Sequence, residues 1–195
     1  PPYQAPLSAF RLMEIVDGIL PPGVLNIVTG GRECGEALVT HPLVPRVSLV
    51  GSVPTGRAIM KAGADRLKHV TLELGGKNAC IIYSDAEIDK AIAGAVNGMN
   101  FPWCGQSCGS TSRLFIHESV YDKVVAGVLD ATRHFKPGIP TDMKTTMGAI
   151  VSQAQFDKVM SYIEIGKSEG ARLACGGKRP EDPLLSNGWF VEPTV

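Results

Sequence analysis

The chain has 195 residues, 44% of them hydrophobic and 19% charged, which is enough apolar material for a packed core and too much for a disordered segment. Its 19 basic and 19 acidic residues cancel, so net charge gives no footing for a nucleic-acid or acidic-membrane partner. No apolar run approaches the ~20 residues that span a bilayer, and five cysteines without a C-x-x-C spacing read as reduced thiols rather than a disulfide framework. The start, Pro1-Pro2-Tyr3, lacks Met and any signal-like region, and Glu192-Pro193-Thr194-Val195 stops in what reads as mid-strand. The expectation is a fragment of a cytoplasmic protein whose true termini lie elsewhere.

Leu7, Phe10, Leu12, Ile15, Val16 and Ile19 fall near helical spacing, which predicts an amphipathic helix over 7–19, ended by Leu20-Pro21-Pro22-Gly23. A short strand is expected at 24–28, a helix at 33–39, and a strand at 46–50 broken by Gly51-Ser52. A helix follows over 55–67 with Pro54 at its first turn, then a strand at 69–74. After the turn Gly75-Gly76-Lys77-Asn78 comes a strand at 80–83, and Ser84-x-x-Glu87 reads as a capping box opening a helix to 98. A strand at 113–117 and a helix over 119–134, with Val120, Val124, Val128 and Leu129 on one face, come next. Beyond a Pro/Gly-containing loop, Ser152-x-x-Gln155 opens a helix to 169, and strands are expected at 171–175 and 189–191. Alternating helices and strands imply an α/β fold with a mainly parallel sheet covered by helices. The glycine turn is the best internal boundary.

Three segments carry chemistry. In Val47-Ser48-Leu49-Val50-Gly51-Ser52-Val53-Pro54-Thr55-Gly56 an apolar strand meets a Gly-Ser turn and a helix start, where free backbone N–H groups suit a phosphate. It is not the G-x-G-x-x-G fingerprint, and a strand-to-helix turn without a ligand is the plain alternative. In Leu72-Glu73-Leu74-Gly75-Gly76, Glu73 ends an apolar strand, the place where open α/β sheets meet their ligands. Such a carboxylate can serve as a general base, or can be a solvated strand end. In Phe101-Pro102-Trp103-Cys104-Gly105-Gln106-Ser107-Cys108-Gly109, Cys108 lies among small polar residues rather than the aliphatic neighbours of a core thiol. A helix beginning near Gln106 would favour thiolate, and Gln106 with nearby N–H groups could stabilise an oxyanion. Cys104 and Cys108 stand four apart, but no second Cys/His pair supports a metal, so none is expected. A plain core thiol stays the alternative on this segment alone.

Together these segments resemble the aldehyde dehydrogenase superfamily. One of its signatures is similar to Leu72–Asn78, centred on Glu73, and the other to Phe101–Cys108; they stand 108 − 73 = 35 positions apart. Leu20–Asn26, Gly51-Ser52 and Gly188–Thr194 extend the similarity over essentially the whole chain. The resemblance implies the C-terminal part of a Rossmann-like NAD(P)-binding domain over 1–74, then the N-terminal part of an α/β catalytic domain over 75–195. It implies that Cys108 attacks an aldehyde to give a thiohemiacetal and then a thioester, which Glu73 hydrolyses through water. Gly51, Ser52, Val53, Pro54, Thr55 and Gly56 would cradle the pyrophosphate of NAD or NADP, with Leu74 near the nicotinamide. Trp103, Ser107 and Gly109 would line the aldehyde tunnel. The implied partner is a small-molecule aldehyde, with no nucleic acid or membrane, and the parent would be a homodimer or homotetramer. The fragment alone is expected to be inactive. Two positions depart from the pattern: Tyr3 replaces a frequent ribose-binding Glu, leaving NAD against NADP open, and Trp103 replaces a frequent Asn, hinting at an aromatic or compact aldehyde. The retained Glu73 speaks against a CoA-acylating variant, and the presence of both Cys108 and Glu73 against a non-catalytic descendant.

Overall fold

A computed structural model describes all residues, 1–195, as two compact units, Pro1–Gly75 and Gly76–Val195. In the first unit, helices α1 (Leu7–Val16) and α2 (Arg32–Thr40) precede strand β1 (Arg46–Gly51), helix α3 (Val53–Ala64) and strand β2 (His69–Leu74). β1 and β2 pair in parallel with Leu49 opposite Leu72 and Gly51 opposite Leu74. A parallel pair needs a crossover, and α3 supplies it. Alternation along the strands turns Val47, Leu49, Val70, Leu72 and Leu74 inward and leaves Ser48, Val50, Thr71 and Glu73 exposed. α3 answers with buried Gly56, Ile59 and Gly63 on one stripe. A side chain at Gly56 would stand 2.9 Å from a Leu74 methyl, so the helix comes this close to the strand only because residue 56 has no Cβ. Lys68 closes the unit by donating from Nζ to the carbonyls of His41 (2.7 Å) and Val44 (2.8 Å).

The second unit repeats the plan with strand β3 (Ala79–Ile82), helix α4 (Ile88–Met99), strand β4 (Arg113–Ile116) and helices α5 (Tyr121–Thr132) and α6 (Gln153–Ser168). β3 and β4 are again parallel, with Ile82 opposite Ile116. Ile82, Ala95, Val96, Phe101, Val124 and Val128 form its core, where Val124 is fully buried and the Phe101 ring packs 5.2 Å from that of Phe135. A smaller cluster joins Ile150, Phe156 and Val191, with the Arg179 guanidinium 4.8 Å over the Phe156 ring. No helix is long and apolar enough to cross a membrane.

Several expected boundaries move for local reasons. α1 stops at Val16 because Gly18 turns the chain at φ +75°, and none of its residues is buried. The expected strand at 24–28 does not form; Val24 N–H goes back to the Pro21 carbonyl, and no strand pairs with the segment. Ser84 does not cap α4: a turn bonded from Ala86 N–H to Tyr83 O intervenes, and Glu87 stands at the cap without a side-chain bond. Ser152 does cap α6, its hydroxyl accepting from Gln155 N–H at 3.3 Å. The strands expected at 171–175 and 189–191 are absent as well. Ala174 and Cys175 pair with Val195, and Ile150 with Trp189, but these stay isolated bonds. Gly176 and Gly177 swing the chain away at φ +71° and +75°, and Pro193 has no N–H to donate.

Truncating the fully buried Val124 to Ala removes about 1.6 kcal/mol of methyl transfer at ~0.8 kcal/mol per group, before any cavity term. We expect Val124→Ala to destabilise the second unit by about 2 kcal/mol, read as a lowered urea midpoint of the full-length protein. Val125→Ala, one position off the buried stripe, should cost clearly less.

Candidate active site

The first unit gathers its candidate residues where β1 and β2 end side by side. Gly75 N–H donates to the Gly51 carbonyl at 3.3 Å, which holds the two strand ends together. Leu74 turns inward onto Gly56, whereas Glu73, opposite Val50, is exposed on the other face. Ser52 caps α3: its Oγ accepts from Thr55 N–H at 3.3 Å and lies 2.9 Å from Thr55 Oγ1. That places two hydroxyls and the Val53 N–H at the positive end of the helix, while Pro54 contributes no donor. Gly56, expected from sequence to join a phosphate cradle, does not: its N–H is spent on the Ser52 carbonyl at 2.9 Å and its Cα is buried under Leu74.

Beside this turn runs a cleft of about 760 Å³ between α2 and α3. Gly31, Gly35 and Val39 form one wall and Pro54, Thr55 and Ala58 the other, with Leu49 also lining it. Sequence reasoning missed this cleft. The available signal was Gly31 and Gly35, four apart at the cap and first turn of α2, a spacing that lets something lie flat against the helix start.

In the second unit Cys108 sits on the loop between α4 and β4. The loop is folded by an unusual backbone: Asn100, Cys104 and Gly105 have φ of +58°, +56° and +64°. Asn100 O accepts from the N–H groups of both Trp103 and Gly105, at 3.0 and 3.1 Å. Buried Phe101 nails the loop into the core, and Thr111 N–H returns to Gly98 O at 2.8 Å. At the tip, Ser107 Oγ accepts from Gly109 N–H at 3.2 Å, and Asn78 Nδ2 donates to the Cys108 carbonyl at 2.8 Å. Arg113 secures the same approach, donating from Nε to Lys77 O at 2.9 Å and from its backbone N–H to Asn78 O at 3.2 Å. Cys108 itself is exposed, and so are Gly109 and the Trp103 indole, while Ser107 is half-buried.

One expectation for this loop is corrected. No helix begins near Gln106; residues 104–112 are turn and coil, so no helix dipole bears on the thiol. The Gln106 amide is engaged within the loop region: its Oε1 accepts from Val151 N–H at 3.1 Å and one Nε2 hydrogen is turned to Trp103 O at 3.4 Å. It is a brace between two loops. Cys104 differs from Cys108 in kind: it is half-buried, its Sγ–H donates to Gly148 O at 3.1 Å, and burial raises its pKa above the ordinary thiol value. No group of three or more His, Cys, Asp or Glu is placed to hold a metal ion. The contact of Asn78 with Cys108 is the one that motif spacing did not indicate, since nothing in the sequence says that its amide reaches residue 108.

The sequence model of the aldehyde dehydrogenase family matches residues 1–195. This chain belongs to the aldehyde dehydrogenase family. It is 50% identical to aldehyde dehydrogenase tropH of Talaromyces stipitatus, over all of this chain and 39% of that protein. It is 47% identical to a betaine aldehyde dehydrogenase of Brucella anthropi, again over all of this chain and 40% of the relative. Among solved structures, betaine aldehyde dehydrogenase from Staphylococcus aureus in complex with NAD+ superposes with a TM-score of 0.91 at 38% identity, over 97% of this chain and 38% of that one. The chain thus spans about 40% of the length of the curated relatives it matches. The α/β architecture with parallel strands is the one expected from sequence.

The contrast between the two loop thiols in this aldehyde dehydrogenase chain has a direct readout. Iodoacetamide near neutral pH, applied to the full-length protein and followed by peptide mass mapping, should label Cys108 before Cys104. A raised pKa leaves less thiolate on Cys104, and half-burial shields it. Equal labelling of both would contradict the geometry.

Proposed function

We propose that the full-length protein carrying this chain is an NAD(P)-dependent aldehyde dehydrogenase that converts an aldehyde to a carboxylic acid, with Cys108 as nucleophile and Glu73 as base. The first unit then forms the C-terminal part of the cofactor domain, and the second the N-terminal part of the catalytic domain. The observation that carries this reading is the exposed Cys108 thiol on a loop otherwise pinned at every turn, its carbonyl held by Asn78 and its own N–H donating to no group of the chain. A nucleophile needs that combination of access and fixed aim.

In the proposed reaction the Cys108 thiolate adds to the aldehyde carbon and forms a C–S bond, while the carbonyl oxygen takes up negative charge against the Cys108 N–H. Asn78 orients that N–H indirectly, by fixing the Cys108 carbonyl. A nicotinamide held beside Leu74 would supply a hydride acceptor, and collapse of the oxyanion with loss of that hydride leaves a thioester on Sγ. Glu73 then takes a proton from water, the resulting hydroxide attacks the thioester carbon, and the C–S bond breaks to return the thiolate. The sum is aldehyde plus water plus NAD(P)+ to carboxylic acid, NAD(P)H and a proton. Ser52, Val53 and Thr55 fit a pyrophosphate through one free N–H and two hydroxyls, and the apolar α2–α3 cleft fits a nucleobase. Leu74, at the strand end opposite Gly51, would flank the nicotinamide. Trp103, Ser107 and Gly109 would border the aldehyde, the exposed indole giving an aromatic wall suited to a flat or compact substrate.

Two substitutions in the full-length protein separate the roles. Cys108→Ala should abolish NAD(P) reduction with aldehyde. Glu73→Gln should keep a first-turnover burst of NAD(P)H but slow steady turnover by roughly a hundredfold or more, because the thioester accumulates. Full activity in the first variant removes the nucleophile from the scheme, and no burst in the second removes the base.

A further inference from the structure

The α2–α3 cleft has apolar walls but a charged mouth. Of its lining residues only Arg32 and Glu36 carry charge, and they pair through Arg32 Nε and Glu36 Oε1 at 2.6 Å. That bond occupies one edge of the guanidinium. Neither Nη group has an acceptor in the chain, and the Arg32 side chain is 88% exposed. The pair is thus a neutralised carboxylate with a free double-donor edge beside it, at the rim of a slot bordered by the Ser52–Thr55 turn.

Chemistry at such a rim discriminates between two adenine nucleotides. A lone carboxylate there would accept from both ribose hydroxyls and repel a phosphate. A guanidinium with two free Nη groups matches the oxygens of a phosphate in bidentate fashion. Glu36 by itself would select the unphosphorylated ribose; paired with Arg32 it no longer can. Tyr3 brings only a phenol to the same place, its ring 3.9 Å from where a side chain on Gly31, another lining residue, would stand.

We propose that Arg32 is a specificity-determining residue that binds the 2′-phosphate of NADP(H) at the mouth of the α2–α3 cleft, so that the full-length enzyme accepts NADP+. This rests on the reading of that cleft as the cofactor's adenosine site. Arg32 bridges the carboxylate on one edge and the phosphate on the other, and Glu36 positions it. The exposed pair contributes little to folding, so substitutions there test recognition rather than stability.

The experiment is calorimetric titration of the full-length protein with two fragments that differ only in the 2′-phosphate, adenosine 2′,5′-bisphosphate and 5′-AMP. The unmodified protein should bind the bisphosphate about tenfold more tightly, the order expected of charge-assisted hydrogen bonds. Arg32→Ala should erase that margin while leaving 5′-AMP within about twofold, and Arg32→Lys, which keeps the charge but not the fork, should keep part of it. Raising the salt concentration should narrow the margin in the unmodified protein. Equal binding of the two fragments by the unmodified protein overturns the proposal while leaving the adenosine cleft standing. An equal loss of both fragments in Arg32→Ala does the same. Failure of both fragments to bind the unmodified protein overturns the cleft assignment itself, and this inference with it.

Discussion

The 2.8 Å hydrogen bond from Asn78 Nδ2 to the Cys108 carbonyl ties the start of the second unit to the tip of the loop that bears Cys108. Behind it stands the parallel pairing of β3 with β4, which sets Asn78 and Arg113 side by side at the same sheet end. A parallel pair cannot be closed by a tight turn, so the chain must travel out through α4 and back. The return path is the loop that bears Cys108. Three left-handed residues, the buried Phe101 and the bonds to Asn100 O fold this path tightly instead of leaving it slack. Backbone strain of that kind persists only where surrounding contacts over-determine it, and here the contacts fix the place of an exposed thiol.

The first unit solves a related problem with a missing side chain. Gly56 lets α3 settle onto Leu74, which brings the capped start of α3 to the ends of β1 and β2. The same placement opens the slot between α2 and α3, since the helices meet only where the small residues allow. The capped turn and the slot proposed for the cofactor are therefore consequences of one packing arrangement. Gly56, which resembles part of a ligand motif, acts through packing and not through its N–H.

Much of this was legible in the residues. The short apolar runs at 46–50 and 69–74, each bounded by glycine, marked the strands, and the structure gives each one face turned inward and one open. The stripe Val120, Val124, Val128 marked α5 because its packing is sequence-local in pattern and dense in fact. What stayed illegible depended on partners. Residues 24–28 have strand-like composition, yet a strand exists only where another accepts its hydrogen bonds. Gln106 looked like a free amide because nothing in the sequence indicates that Val151 N–H lies against it, 45 positions on. Asn78 was hidden in the opposite direction, its reach of 30 positions being invisible to any local pattern.

The sequence by itself determined the family and the residue types available for chemistry: Cys108, Glu73 and the Gly51-Ser52 turn. Side-chain reactivity and motif order are properties of the chain read in one dimension. Only the tertiary structure decided which donors and acceptors remain unspent. It engaged the Gln106 carbonyl oxygen and the Gly56 N–H, set the Asn78 amide against the Cys108 carbonyl, and left the Nη groups of Arg32 open at the mouth of a cleft. The reason is that hydrogen-bond capacity is consumed by whichever groups folding brings within about 3 Å, and those groups are set by packing across distant segments rather than by neighbours in sequence.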